Sequence, residues 1–175
     1  MSNEYDELNS NRISVKDREG NVVLGYTTDC YLMLDHDLKR EDEVVKFARE
    51  YTKFHDLGSV AVYKTSDTPQ VDLFGNHLGN YCSVFGKPLS YDEIKWHVTE
   101  AYRLGMVNKS IVAIREFGSI TIRVNSKNNK IPPPKPVYYY RNGDNRGVMD
   151  FTRYWVMCRK LGMEYDRREV KHRRP

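Results

Sequence analysis

Residues 30–63 carry the pattern of a strand–helix–strand unit, and this unit limits the possible folds more than any other part of the sequence. Residues 30–34 form a continuous apolar run of strand length, which predicts a strand buried on both faces. Residues 39–54 place apolar side chains at helical spacing, with Asp37 as the expected N-cap. Residues 59–63 predict the next strand. Because a unit of about thirty residues of this kind is typical of a parallel strand pair, we expect the two strands to be parallel neighbours.

The composition is that of a globular domain with one hydrophobic core. Of the 175 residues, 39% are hydrophobic and 30% are charged. The apolar runs fall far short of the ~18 residues that would indicate a membrane-spanning helix, and the polar, acidic start is unlike a signal peptide. The three cysteines, Cys30, Cys82 and Cys158, are far apart and form no CxxC pair, which is typical of reduced thiols. We therefore expect a cytoplasmic protein with no membrane partner.

The rest of the first hundred residues predicts short elements around this unit. Residues 1–12 are polar and predict a flexible arm, and residues 13–26 predict a small hairpin. Residues 65–88 show no periodicity, which indicates either a functional loop or an inserted hairpin. Ser90, with a glutamate three residues later, is a capping box that opens a second helix ending at Gly105.

The second half predicts a strand pair and then an appendage. Residues 111–115 and 119–124 have the β-branched composition of two strands joined by a tight turn. The element order predicts an α+β fold in which a small mixed sheet is flanked by helices, with a ferredoxin-like or RRM-like core over residues 13–130. Residues 131–175 then form a proline-rich linker, a helix over about 148–161 and a basic tail, packed on or beside the core.

Charge is distributed unevenly along the chain. Residues 1–126 carry 15 Lys/Arg and 19 Asp/Glu, whereas residues 127–175 carry 13 Lys/Arg and 5 Asp/Glu. An acidic body with a basic C-terminal region predicts a partner that carries phosphates, because the basic region neutralises a polyanion. The alternative is a tail that only keeps the protein soluble.

An acidic pair follows the first buried strand. Asp35 and Asp37 stand two residues apart, and side chains two apart on a strand point to the same side of the sheet. Two carboxylates in this arrangement are suitable ligands for Mg²⁺ or Mn²⁺, which prefer oxygen and leave positions open for phosphates. The alternative is structural, with Asp37 capping the following helix and Asp35 ending the strand.

The apolar strand, this acidic pair, the helix and a second strand ending in residues 63–66 together resemble the core of the archaeo-eukaryotic primase superfamily. A later strand that contains Arg123 and is followed by Lys127 and Lys130 is also similar to the family's pattern. The resemblance covers residues 29–130. It departs from the family where a serine and a histidine should be two or three residues apart, since Ser66 and His77 are separated by eleven.

The resemblance implies a metal-dependent nucleotidyl transfer, with Mg²⁺ or Mn²⁺ held by Asp35 and Asp37 and with Glu116 as a third carboxylate. His77, Arg123, Lys127 and Lys130 would contact phosphates. Degenerate members of the superfamily imply the other outcome, a noncatalytic accessory subunit or binding module. The expected partners are single-stranded DNA or RNA, a nucleotide, or another protein.

A run of tyrosines beside basic residues adds a second candidate surface. Tyr139 and Tyr140 precede Arg141, and aromatic rings next to cations are typical of single-strand binding by base stacking. The alternative is that these tyrosines form an extra edge strand. Arg167 and Arg168, in the basic tail, are further candidates for contacts with phosphates.

Overall fold

The computed structural model describes residues 12–16, 22–108, 111, 114, 121–123 and 134–161. Within these residues there are seven strands and three helices, in the following order along the chain: β1 (Arg12–Lys16), β2 (Val22–Thr27), β3 (Met33–Lys39), α1 (Glu41–His55), β4 (Val60–Val71), β5 (His77–Phe85), α2 (Tyr91–Arg103), β6 (Thr121–Arg123), β7 (Tyr138–Tyr140) and α3 (Arg146–Leu161).

The larger sheet has the strand order β3-β5-β4-β7, and each neighbouring pair is antiparallel. β3 and β4 are parallel to each other, as predicted, because both are antiparallel to β5. The prediction that they are neighbours is wrong, because β5 lies between them and pairs with both. A returning strand between the two strands of a strand–helix–strand unit is the split βαβ arrangement of ferredoxin-like folds. The predicted α+β class, a small sheet with flanking helices, is confirmed.

A smaller sheet is formed by β1, β2 and β6. β1 and β2 make the hairpin that the sequence predicts near the N-terminus, and β6 adds to the other side of β2. The strand predicted over 119–124 is thus confirmed for Thr121–Arg123. The strand predicted over 111–115 is wrong at Ile111 and Ile114, which are helical and buried. The two isoleucines are three positions apart, so a helix buries both on one face, and this packing overrides β-propensity.

β3 is longer at its C-terminal end than the apolar run suggests. Pairing with β5 continues past the acidic residues as far as Lys39, with an irregularity after His36 and a left-handed Leu38 (φ 55°). The N-cap of α1 is therefore Arg40. The predicted capping role of Asp37 is wrong, because the extended strand holds Asp37 three residues before the cap.

The stretch without periodicity is a long hairpin, which confirms one of the two alternatives for residues 65–88. Its turn is organised by Asp72, whose Oδ1 accepts hydrogen bonds from the backbone N–H groups of Phe74 and Asn76, both at 2.8 Å. Gly75 supplies the positive φ of 81° that the turn needs. The pattern was hard to recognise because β-bulges interrupt the pairing of the two strands.

One face of the larger sheet is covered by α1 and α2. The predicted capping box is confirmed, since the backbone N–H of Ser90 donates to Glu93 Oε2 at 2.7 Å and that of Glu93 donates to Ser90 Oγ at 3.2 Å. Tyr51 of α1 and His97 of α2 join the two helices through a 2.8 Å hydrogen bond. The ring of Tyr51 also packs edge-on against Phe85 of β5, so both helices are fixed to the sheet.

The opposite face is covered by α3, which confirms the helix predicted over 148–161. The ring of Tyr63, on β4, lies 5.3 Å from Phe151 and 5.4 Å from Trp155. The hydroxyl of Tyr154 donates to the carbonyl of Gly25 on β2 at 2.9 Å. α3 therefore connects the two sheets, and this helix of the predicted appendage is part of the packed core.

Hydrogen bonds hold the loop before α3 against the start of β4 and the end of β5. The backbone N–H of Ser59 donates to Asp144 at 2.8 Å, and that of Gly147 donates to the carbonyl of Gly86 at 2.9 Å. A Cβ added to Gly86 would lie 2.1 Å from the Asp144 carbonyl oxygen. The close approach of two backbones explains why glycine stands here.

We expect Gly86→Ala to destabilise the protein by about 3 kcal/mol, because the new methyl group would collide with a main chain that is held by hydrogen bonds. The midpoint and slope of urea unfolding measure this change. Lys87→Ala is the matched control, since the side chain of Lys87 forms a surface ion pair with Asp56 and the substitution keeps the backbone N–H, and a change within about 0.5 kcal/mol is expected. Equal midpoints for Gly86→Ala and the wild type would contradict the packing described for this loop.

The histidine between α1 and α2 predicts a loss of stability in weak acid. Burial lowers the pKa of His97 from 6.5 to about 4, and the nearby His55 adds to this effect, whereas Glu93 and Glu100 oppose it. The unfolded chain takes up this proton near pH 6.5 and the folded chain only near pH 4. The free energy of unfolding should therefore decrease as the pH falls from 6.5 to 4, by at most about 1.4 kcal/mol per pH unit for this group.

Urea unfolding at several pH values should show a shallower dependence for His97→Gln than for the wild type within that window. His77→Gln is the control, because His77 is an exposed residue of the hairpin. A wild-type pH dependence in His97→Gln would show that this residue is not the group that titrates.

Candidate functional site

The acidic pair lies on the face of β3 that is turned away from α1 and α2. Asp35 and Asp37 are half-buried and alternate with the fully buried His36. Their Cα atoms are about 7 Å apart, because residues two apart on a strand are separated by two rises of about 3.3 Å. Asp35 of β3 and Tyr63 of β4 both pair in register with Cys82 of β5. Paired residues share a face of the sheet, so these three side chains lie on the face against which α3 packs.

His36 holds the strand from the other side. Its Nδ1 lies 2.8 Å from the carbonyl oxygen of Met106, and its Nε2 lies 2.8 Å from Ser83 Oγ. Burial lowers the pKa of His36 to about 4, so the ring is neutral at physiological pH. Since a carbonyl only accepts, Nδ1 carries the proton and Nε2 accepts from the Ser83 hydroxyl. Both ring nitrogens are thus used in fixing β3, which makes His36 a positioning residue.

Asn80, a polar residue that the sequence does not mark as a site residue, lies beside the acidic pair. Asn80 precedes Cys82 by two residues on β5 and shares its face. Asn80 Nδ2 donates to Ser66 Oγ at 2.8 Å, and the backbone N–H of Leu38 donates to Asn80 Oδ1 at 3.0 Å. The sequence carries no local signal for this position, because Asn80 falls in residues 65–88, which show no periodicity.

His77 is not brought together with the acidic pair. It begins β5 at the turn of the hairpin, and its Nε2 lies 3.4 Å from Asp67 Oδ1. It lines a pocket together with Arg40 and Glu41 at the start of α1, and with Tyr138. His77 is therefore on the helix-covered side of the sheet, opposite to the carboxylates of β3.

The tyrosine run forms β7, which pairs with β4 and confirms the edge-strand alternative. Tyr140 is half-buried, with Lys53 Nζ 5.2 Å from its ring centre. Tyr139 is 42% exposed, and its hydroxyl donates to Asn145 at 2.9 Å. Because Tyr139 pairs with Ala61, two residues before Tyr63, it points to the same face as the acidic pair, at the opposite edge of the sheet.

The other predicted site residues are separate from this face or outside the described part of the chain. Arg123 is in β6 and pairs in register with Gly25 of the smaller sheet. Arg141 is exposed and directly follows β7. The remaining candidates, which lie outside the described residues, are Glu116, Lys127, Lys130, Arg167 and Arg168.

The donor atoms around the acidic pair are suitable for a hard divalent cation. Asp35 and Asp37 supply carboxylate oxygens, and Asn80, whose Oδ1 accepts from the backbone N–H of Leu38, adds a neutral oxygen beside them. Mg²⁺ and Mn²⁺ bind oxygen ligands and retain several waters. Among the residues that the structure describes, no cluster of three His, Cys, Asp or Glu side chains is close enough to hold a metal ion. The described site thus offers two carboxylates and would leave most coordination positions to water or phosphate.

Comparisons of this chain with family models, with curated proteins and with solved structures found no match in any of the three. No helix within the described ranges has both the length and the apolar character needed to cross a membrane.

Proposed function

We propose that this chain is a nucleic-acid-associated protein with a reduced primase-polymerase-like core that binds a divalent cation and nucleotide phosphates at Asp35 and Asp37. The observation that supports it best is the placement of both carboxylates on one face of β3 in a split βαβ sheet, with His36 turned to the other face. A hydrogen-bonded imidazole on the core side stabilises a strand that presents two like charges together. Carboxylate oxygens are the ligands that hard divalent cations prefer.

The residues of this chain would have separate tasks at the site. Asp35 and Asp37 would hold Mg²⁺ or Mn²⁺, which supplies charge neutralisation for a transferring phosphoryl group. Arg123, Lys127 and the basic tail would bind phosphates of a single-stranded nucleic acid. Tyr139, exposed on the same face as the carboxylates, offers a ring on which a base would stack.

A second candidate function is noncatalytic, as a single-strand binding module or as an accessory subunit. The position of His77 favours it, since this histidine lies on the opposite side of the sheet from the carboxylates. A nucleotidyl transferase needs its phosphate-binding groups and its metal ligands on the same side of the sheet. Metal binding at the acidic pair separates the two candidates.

We expect calorimetric titration of the wild type with Mn²⁺, in the presence of a nucleoside triphosphate, to show saturable binding of the cation. Asp35→Asn and Asp37→Asn should each weaken this binding roughly tenfold or more, because each change removes one negative charge from a site for a hard cation. Asp67→Asn is the matched control, since Asp67 is an exposed aspartate on the hairpin, and it should bind like the wild type. Absence of binding at millimolar Mn²⁺ would reject the catalytic candidate and leave the noncatalytic one.

The basic tail generates a prediction that holds for both candidates. Truncation after Gly162 removes Arg167, Arg168, Lys171, Arg173 and Arg174 while α3 stays intact. Affinity for a single-stranded oligonucleotide should decrease, and the slope of log K against log salt should become shallower by roughly 0.7 for each lost phosphate contact. Fluorescence anisotropy at several salt concentrations measures both quantities.

Tyr139→Ala should lower the same affinity with little change in the salt slope, because stacking releases no counterions. Tyr139 is the suitable tyrosine for this change, since Tyr140 is partly buried against the core. If the intact protein binds no oligonucleotide at low salt, both candidate functions that involve nucleic acid fail.

A further inference from the structure

A cleft of about 810 Å³ lies on the helix-covered side of the molecule, away from the acidic pair. Its walls are α1, the turn of the β4–β5 hairpin and the segment that follows α2. The size is within the range of about 300–1,000 Å³ that is typical of ligand sites. The apolar part of the lining consists of Phe47, Leu73, Phe74, Leu78, Leu104 and Met106.

The hairpin turn presents large apolar side chains to solvent. Leu73 is fully exposed and Phe74 is 88% exposed, although the turn that carries them is well ordered by the hydrogen bonds of Asp72. Leu104, on the other wall, is also exposed. Exposed apolar groups that converge on one concave surface with a polar rim are typical of interaction sites.

The cleft has the shape of a groove along α1. Glu43, Phe47 and Glu50 stand at i, i+4 and i+7 on this helix, and all three line the cleft. Seven residues of helix extend about 10 Å at 1.5 Å per residue. A groove of this length and direction accommodates about two turns of a second helix packed beside α1.

The rim of the cleft carries more acidic than basic groups. Four carboxylates and two basic side chains line it. One of the bases, Arg40, already pairs with one of the acids, Asp42, at 3.5 Å. Glu43, Glu50 and Asp72 then face Lys46 as the remaining basic group of the lining. This excess of negative charge disfavours a polyanion such as nucleic acid and favours a cationic partner.

We propose that this cleft binds a basic amphipathic helix of a protein partner. Apolar side chains at i, i+3, i+4 and i+7 of that helix pack on Phe47, Leu73 and Phe74, and its Lys and Arg residues pair with the acidic rim. A second copy of this chain is disfavoured as the occupant, because a two-fold contact would bring the same acidic rim against itself. The proposal is independent of metal or nucleic-acid binding at the other face of the sheet.

The test uses the full chain and a fluorescein-labelled peptide of fourteen residues, made of leucine and lysine with the leucines at helical spacing. Fluorescence anisotropy at 150 mM salt should show saturable one-to-one binding. The double variant Leu73→Ser/Phe74→Ser should weaken it at least tenfold, and Glu43→Lys/Glu50→Lys should do the same. All four side chains are exposed or on the outer side of α1, so circular dichroism should show unchanged folding.

Two controls make the experiment specific. Met149→Ser removes an apolar side chain that is 62% exposed on α3 and does not line the cleft, and it should leave the affinity unchanged. The matching peptide of leucine and glutamate should bind at least tenfold more weakly than the leucine–lysine peptide. Equal binding of the two peptides, or wild-type affinity of either double variant, would overturn the proposal.

Three further outcomes would also overturn it by identifying another occupant. One is self-association of the wild type in sedimentation velocity that the Leu73→Ser/Phe74→Ser variant abolishes, since the occupant is then a second copy. Another is binding to phosphatidylcholine–phosphatidylserine vesicles that depends on the same two residues. The third is loss of oligonucleotide binding in that variant, which would assign the exposed turn to nucleic acid.

Discussion

The hydrogen bonds of one buried imidazole determine how the strand with the acidic pair is oriented. His36 joins β3 to the carbonyl of Met106 and to the hydroxyl of Ser83, both at 2.8 Å. Because side chains alternate along a strand, fixing His36 on the helix side places Asp35 and Asp37 on the other side. A slip of β3 by one residue would bury two carboxylates against Phe47 and leave both partners of the histidine unsatisfied, so the register is strongly determined.

The elements that follow from local patterns could be predicted from the sequence. α1, the capping box of α2, the first hairpin and α3 all depend on periodicity and on residues close in the chain. The helical state of Ile111 and Ile114 could not be derived in this way, because β-branched residues favour strands unless packing decides otherwise. The position of β5 between β3 and β4 is a long-range pairing, and no local signal reports it.

The candidate site was predictable in the same partial way. The common face of Asp35 and Asp37 follows from a spacing of two residues, whereas the separation of His77 follows from the length of the hairpin and its bulges. The pairing of β4 with β5 shifts by one residue between Lys64 and Ser66 and by two between Asp67 and Val71. The face that a distant residue occupies therefore cannot be counted from the sequence. Asn80 became recognisable only through its hydrogen bonds to Ser66 and to the backbone of Leu38.

The acidic pair and the cleft lie on opposite faces of one sheet, yet they share the segment after α2. Met106 lines the cleft, and its carbonyl accepts the hydrogen bond from His36. The ammonium group of Lys39, at the end of β3, donates to the carbonyl of Gly105 at 2.8 Å. A helix bound in the cleft would therefore contact a segment joined by two hydrogen bonds to the strand that carries Asp35 and Asp37. Binding of that helix would change the affinity of the acidic pair for a cation only if the helix bound two arrangements of this segment with different affinities. The cation would then change the affinity for the helix by the same free energy.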